Sequence, residues 1–241
     1  MTVTAHLVPI LSDNYAWRLV DSETGAVAIV DPADAKAIIA ALEAEGGRLD
    51  VILLTHHHGD HVAGTDEVRA RFGCPVVGAA ADAHRLPRLD QAVKEGDTVR
   101  FGNATGRVIE TPGHTIGQIN YFFPDGEVLL SGDTLFSLGC GRLIEGTADQ
   151  MFASLRKLAA LPGSTLVCCG HEYTESNGRF ALSVDGSNPA LQARMAQARA
   201  QRAAGQPTVP TTMAEELAAN PFLLAADVAT FADRRARKDK F

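Results

Sequence analysis

Short apolar runs dominate the first two thirds of the chain, and their lengths and breaks predict a strand-rich architecture. Residues 3–11, 16–22 and 26–30 are β-type runs separated by Ser12-Asp13-Asn14 and Glu23-Thr24-Gly25, both turn-like, so adjacent antiparallel strands are expected. Asp34 to Glu45 is alanine-rich with apolar positions at Ile38, Ile39 and Leu42, which predicts a helix that Gly46 can cap. Asp50 to Leu54 reads as a buried strand, and Gly64 to Phe72 as a short helix covering it. Further strands are expected at 75–79, 98–101, 107–110, 119–123 and 127–130, with Pro124-Asp125-Gly126 as the turn of a hairpin between the last two. Residues 149–161 form an amphipathic pattern with Met151, Leu155 and Leu158 on one face, and 165–169 is a final buried strand.

Beyond residue 171 the pattern changes period. Residues 189–204, 212–219 and 225–238 are alanine-rich and helix-like, interrupted by Gly205-Gln206-Pro207 and Asn220-Pro221. The expected plan is therefore an α/β domain over residues 1–171 followed by an all-α subdomain over residues 172–241. No internal repeat or low-complexity tract interrupts it.

Composition adds limits rather than a fold. At 241 residues, 46% hydrophobic and 21% charged, the chain can bury a large core. A net charge of -7 argues against a general nucleic-acid surface, although Arg234 to Lys240 is sharply basic. The four cysteines (Cys74, Cys140, Cys168 and Cys169) follow no zinc-finger or CxxC spacing, so they are expected to pack as small hydrophobes. With no leader-like N-terminus and no apolar run of about 18 residues, a cytoplasmic protein without membrane contact is expected.

The candidate chemistry sits where the strand at 50–54 ends. There the chain reads Thr55-His-His-His-Gly-Asp-His61. Imidazole nitrogens and carboxylate oxygens are the preferred ligands of zinc and of iron or manganese. Alternate side chains of an extended segment share a face, so His56 and His58 point the same way and His57 points to the other. Gly59 lets the chain turn, which places Asp60 and His61 where they can serve a second ion. A solvated histidine loop would have neither the interleaved aspartate nor the buried strand before it.

Three more polar residues follow glycines at the ends of apolar strands. His114 follows Gly113, Asp133 follows Gly132 and His171 follows Gly170. Taken singly, a strand-end histidine is more often a hydrogen-bonded structural residue than a ligand; three in register with the first motif are not explained that way.

The His-x-His-x-Asp-His pattern resembles that of the metallo-β-lactamase superfamily, which implies an αββα sandwich. Carried over by that resemblance, His56, His58 and His114 would hold one metal and Asp60, His61 and His171 a second, with Asp133 bridging them. Two divalent ions per chain are then expected, zinc in the first place, with iron or manganese also suited. Asp60 would in addition orient the attacking water.

The shared metal pattern does not choose a substrate. Ser12-Asp-Asn-Tyr15, Gly139-Cys-Gly-Arg142 followed by Glu145-Gly-Thr-Ala148, His171-Glu-Tyr-Thr174 and the terminal Arg-Lys-Asp look like the glyoxalase II, or hydroxyacylglutathione hydrolase, family. The resemblance implies hydrolysis of a glutathione thioester, with Arg142, Tyr173, Arg235 and Lys238 binding the glutathione moiety. Arg235 and Lys238 are three apart and would share a helix face, and cations suit a dicarboxylate substrate. Where many family members carry tyrosine this chain has Ile144, and Arg142 takes a position normally held by lysine. The rival readings are a persulfide dioxygenase of the same superfamily, which would use one iron and consume oxygen, and a non-catalytic module that binds metal or glutathione. For 234–240 the alternative is a solvated tail whose cations are favourable at a helix C-terminus.

Overall fold

A computed structural model describes residues 3–241. The described residues divide into two compact units, the first comprising residues 3–110 and 117–132 and the second 111–116 and 133–241.

The first unit begins with β1 (Val3–Ile10), β2 (Asn14–Asp21) and β3 (Val27–Val30), an antiparallel meander as its turns require. Helix α1 (Ala35–Ala44) starts at Asp34, whose side chain accepts from the Ala37 N–H at 3.1 Å. It buries Ala35, Ile38 and Leu42. The Gly47 N–H closes its end on the Leu42 carbonyl, both Gly46 and Gly47 being left-handed. The chain then enters β4 (Val51–Leu53), followed by α2 (Gly59–Val62), α3 (Thr65–Phe72), β5 (Val76–Ala79) and β6 (Gln91–Val93).

Strands β3, β4, β5 and β6 are parallel, which explains why β3, β4 and β5 are apolar throughout. Their C-terminal ends open on the same edge of the sheet. Strands β7 (Thr98–Phe101), β8 (Ala104–Glu110), β9 (Ile119–Phe123) and β10 (Val128–Gly132) form an antiparallel ladder. The buried Tyr121 hydroxyl of β9 donates to the Leu54 carbonyl at 2.9 Å, tying this ladder to the end of β4.

The second unit contains the two-residue pair β11 (Leu135–Phe136) and β12 (Gly139–Cys140), α4 (Ala148–Ala159), β13 (Leu166–Cys169), α5 (Thr174–Val184), α6 (Pro189–Ala203), β14 (Thr211–Thr212), α7 (Met213–Ala219) and α8 (Val228–Lys238). Capping boxes at Thr147/Gln150 and Thr212/Glu215 start α4 and α7. Its core gathers Leu138, Ala181, Leu191, Met195 and Ala219. Helix α5 and the short strands β6, β11, β12 and β14 are not expected from the sequence pattern. The segment 234–240 is not a solvated tail. Most of it belongs to α8, in which Phe231 and Arg235 are buried and Phe231 packs on Phe152 and Phe222. Among the described residues no helix is long and apolar enough to cross a membrane.

Candidate metal centre and substrate pocket

In the first unit the histidine segment leaves β4 at the open edge of the parallel strands. His56 and His61 are fully buried, and Asp60 is exposed. Asp31, which follows β3, is the organising residue. Its carboxylate accepts the Thr55 N–H at 2.8 Å and the Thr55 hydroxyl at 2.6 Å, and it pairs with His61 Nδ1 at 3.0 Å. Asp31 adopts a left-handed backbone (φ 53°), a conformation rare outside glycine and held here by that network. Sequence reasoning does not single it out; its one signal is a carboxylate directly after a buried strand.

The network assigns the imidazole tautomers. Thr55 Oγ1 gives its proton to Asp31, so His56 Nδ1, 3.0 Å away, is the donor to that oxygen. Likewise His61 Nδ1–H donates to Asp31. In their neutral form both rings therefore carry the lone pair on Nε2, the tautomer that binds metal. His56 Nε2 lies 3.2 Å from His58 Nδ1, and the two rings meet edge-on at 4.7 Å. Two imidazole nitrogens this close share either a proton or a cation. Donor atoms of Asp31, His56 and His61 also lie within 4.8 Å of one another, all buried. The residues present fit a divalent metal.

Asp60, in the first turn of α2, has Oδ2 at 3.8 Å from His61 Nε2. The buried Asn14 amide holds it, donating to Asp60 Oδ2 at 3.0 Å and to the Asp60 carbonyl at 3.1 Å. Asn14 belongs to the Ser12–Tyr15 segment, to which the sequence alone assigns no role. His57 contacts the buried Asp82 at 3.1 Å, and its ring meets that of His58 edge-on at 4.8 Å.

In the second unit His114, Asp133 and His171 come together. His114 Nε2 lies 3.6 Å and His171 Nε2 3.4 Å from the same oxygen, Asp133 Oδ2. His114 Nδ1 donates to the Arg142 carbonyl at 2.9 Å, so the neutral ring would carry its lone pair on Nε2. All three residues are buried. In the first unit Gly132, one residue before Asp133, is left-handed (φ 46°), and a Cβ there would stand 2.5 Å from Thr55 Oγ1. Only glycine allows that exit from β10.

His114 and Asp133 also line a cavity of about 310 Å³ in the second unit. Arg142, Tyr173, Arg235 and Lys238 line it too, so all four expected substrate residues share one cavity. They differ in how they are held. Arg235 has a side chain only 5% exposed; Nη1 donates to the Cys140 carbonyl at 2.8 Å, Nη2 to Asp239 Oδ1 at 2.9 Å, and the guanidinium lies over Phe222. Its Nε is buried and has no partner among the described residues. Lys238 Nζ donates to the Ser176 carbonyl and hydroxyl, both at 3.2 Å. Burial, with Arg235 and Arg179 nearby, lowers its pKa below the ordinary lysine value despite Asp239. Tyr173 stacks on His171 with ring centroids 4.5 Å apart. Arg142 is 69% exposed and reaches Asp239 at 3.5 Å, while Ile144 is exposed.

No thiol competes as a nucleophile. Burial pushes Cys140 up to about 11 and Cys169 up to about 12, with Cys168 also raised. All four cysteines are buried and free, as expected of small hydrophobes.

Comparison with known proteins agrees with this geometry. The family model of the metallo-β-lactamase superfamily matches residues 14–171. The BLEG-1 B3 metallo-β-lactamase, known from a crystal structure, is 26% identical with a TM-score of 0.72, covering 92% of this chain and 100% of that one. The fold is thus the α/β metallo-β-lactamase fold with a C-terminal helical region, as the motif implied. The hydroxyacylglutathione hydrolase C-terminus model matches residues 172–241. A hydroxyacylglutathione hydrolase of Acidiphilium cryptum (strain JF-5) is 58% identical over 97% of this chain and 95% of that protein. One from Cereibacter sphaeroides (strain ATCC 17023) is 51% identical over 97% of each. The chain belongs to the hydroxyacylglutathione hydrolase family of the metallo-β-lactamase superfamily.

Proposed function

We propose that this chain hydrolyses the thioester of S-(2-hydroxyacyl)glutathione, converting S-D-lactoylglutathione to D-lactate and glutathione in the detoxification of methylglyoxal in the cytoplasm. The observation that carries the reading is the cavity of the second unit, where cations suited to the glutathione carboxylates line the same space as His114 and Asp133.

His56, His58 and His114 would hold one divalent ion and Asp60, His61 and His171 the other, with Asp133 shared; zinc suits this donor set, as do iron and manganese. Bound there, the ions would supply Lewis acidity to the thioester carbonyl and a water ionised near neutral pH. The chain's own residues do the rest. Asp31, Thr55 and the Arg142 carbonyl hold imidazoles in the tautomer with Nε2 bare. Asn14 fixes Asp60, which orients the attacking water. Arg235, Lys238, Arg142 and Tyr173 bind the glutathione portion and so place the carbonyl. Water oxygen adds to the carbonyl carbon, the C–S bond breaks, and the sulfur leaves with the electron pair. A thiolate is stable near neutral pH, so no strong acid has to protonate it. Functionally, residues 1–171 carry the metal chemistry and, Arg142 apart, 172–241 the substrate contacts.

The deciding assay follows loss of thioester absorbance when metal-loaded protein meets S-D-lactoylglutathione. Turnover is expected. Absence of turnover with metal fully loaded sinks the reading, and oxygen uptake with glutathione persulfide would replace it with the dioxygenase.

A further inference from the structure

Among the buried charges that the mechanism leaves unused is one that contacts the histidine segment. Asp82 is 2% exposed and is not among the residues that line the cavity of the second unit. A carboxylate is not buried cheaply; taken from water without partners it costs several kcal/mol. Asp82 has partners on both oxygens. Oδ1 accepts from Arg85 Nη2 at 2.6 Å, and Oδ2 pairs with His57 Nδ1 at 3.1 Å. A Cβ on Gly117 would stand 2.2 Å from Asp82 Cγ, so backbone closes over the carboxylate where any side chain would obstruct.

Its place in the sheet gives this pair a use. Strands β3, β4 and β5 are parallel neighbours in that order. Asp31 follows β3 directly, the histidine segment follows β4, and Asp82 lies three residues beyond β5. The segment Thr55–His58 therefore leaves the sheet between two buried aspartates. Asp31 grips it on one side through the Thr55 N–H and hydroxyl. Asp82 grips it on the other through His57, whose ring also meets that of His58 edge-on at 4.8 Å. In an extended segment the orientation of one side chain fixes the backbone that aims its two neighbours.

We infer that Asp82 is a positioning residue: acting through His57, it clamps the segment so that His56 and His58 are aimed as metal donors before metal arrives. The inference rests on the metal centre of the proposed function. Supports of this kind typically change metal affinity by about 10- to 100-fold.

The test uses the full-length chain, freed of metal, with Zn²⁺ titrated against a chromophoric chelator. Asp82→Ala and His57→Ala are each expected to weaken Zn²⁺ binding by about 10- to 100-fold, while the metal-free proteins melt within a few degrees of wild type. The double variant should bind no more weakly than either single one, because both break the same link. Asp82→Asn, which keeps an acceptor for His57, should retain most of the affinity. At saturating Zn²⁺ the KM for S-D-lactoylglutathione should stay unchanged. Unaltered affinity in Asp82→Ala overturns the clamp, as do losses that multiply in the double variant, or a lower melting temperature without weaker binding. Should Asp82→Ala not fold, His57→Ala and Asp82→Asn decide by the same readouts. Wild type is titrated alongside: failure of the metal centre itself shows as no Zn²⁺ binding in wild type, and the clamp then falls with it.

Discussion

The histidine cluster of the first unit and the cationic cavity of the second solve the same problem, holding polar groups out of water in a fixed place, by opposite plans. In the first, the donors come from six consecutive positions, 56–61, and their supports Asn14, Asp31 and Asp82 come from distant ones. Donor and support are different residues. In the second, the lining residues come from positions between 114 and 239, and one side chain often does both jobs. Arg235 faces the cavity while it also satisfies the Cys140 carbonyl and pairs with Asp239. On the proposed reading, metal binding should be open to weakening without loss of the fold, whereas substrate binding around Arg235 should be tied to stability.

The largest effect is expected at the shared carboxylate. Asp133→Ala removes the oxygen on which His114 and His171 converge, so hydrolysis should fall to background and metal analysis should find far fewer than two ions per chain. Two tightly held ions in that variant would show that Asp133 is not the shared ligand.

Arg235→Ala then tests the coupling directly. Losing a charge-assisted contact to a substrate carboxylate contributes about 1.5–3 kcal/mol, which corresponds to a KM raised by about ten- to a hundredfold. Because the Cys140 carbonyl is left unsatisfied, the melting temperature should drop as well, by an amount reflecting roughly 1–3 kcal/mol. A raised KM with unchanged melting would separate the two jobs and break the comparison.

Lys238→Ala should raise KM by about tenfold with a smaller change in melting, since Nζ gives up only its contacts to Ser176. Lys238 also carries a pH signature. Its pKa is held below 10.5 by burial and by Arg235 and Arg179, against the attraction of Asp239. The ammonium needed for a carboxylate is therefore lost earlier on the alkaline side, and kcat/KM, which reports the free enzyme, should decline below the ordinary lysine range. Lys238→Arg should abolish that limb. The stability effect has the opposite sign: the unfolded chain keeps the proton to higher pH, so stability rises between the lowered pKa and 10.5.

The smallest effect belongs to Arg142. Its side chain is 69% exposed, and exposed ion pairs contribute about 0.2–1 kcal/mol, so Arg142→Ala should raise KM no more than about fivefold. None of these three cation variants should slow a small thioester that lacks the glutathione carboxylates, apart from the reduced folded fraction of Arg235→Ala.

Much of this architecture is legible in the order of residues along the chain. Helices α1, α4 and α6 fall within a residue or two of where their periodicity places them, because one apolar face repeated over three turns is a local property. The strands β7 and β9 coincide with their apolar runs. Strands β11, β12 and β14 are two residues each and carry no period to detect. Helix α5 contains Ser176, Asn177, Gly178 and Ser183, poor helix formers, and is held by tertiary contacts such as the buried Phe180 and the Asn177 amide on the Ser137 carbonyl.

The division has a physical origin. The sequence alone determined which donors are available and which strand delivers them, because strand periodicity and ligand chemistry act between chain neighbours. It could not determine which nitrogen of each imidazole is bare, or that Asp31 and Asp82 flank the histidines. For His56, His57 and His61 those depend on the parallel pairing of β3, β4 and β5, which brings together residues twenty-four or more positions apart; for His114 the Arg142 carbonyl decides. Nor could it tell a solvated Arg235 from a buried one. A guanidinium at a helix end is compatible with either, and only the packing of α8 on its neighbours removes the water and makes the Cys140 carbonyl and Asp239 its obligatory partners.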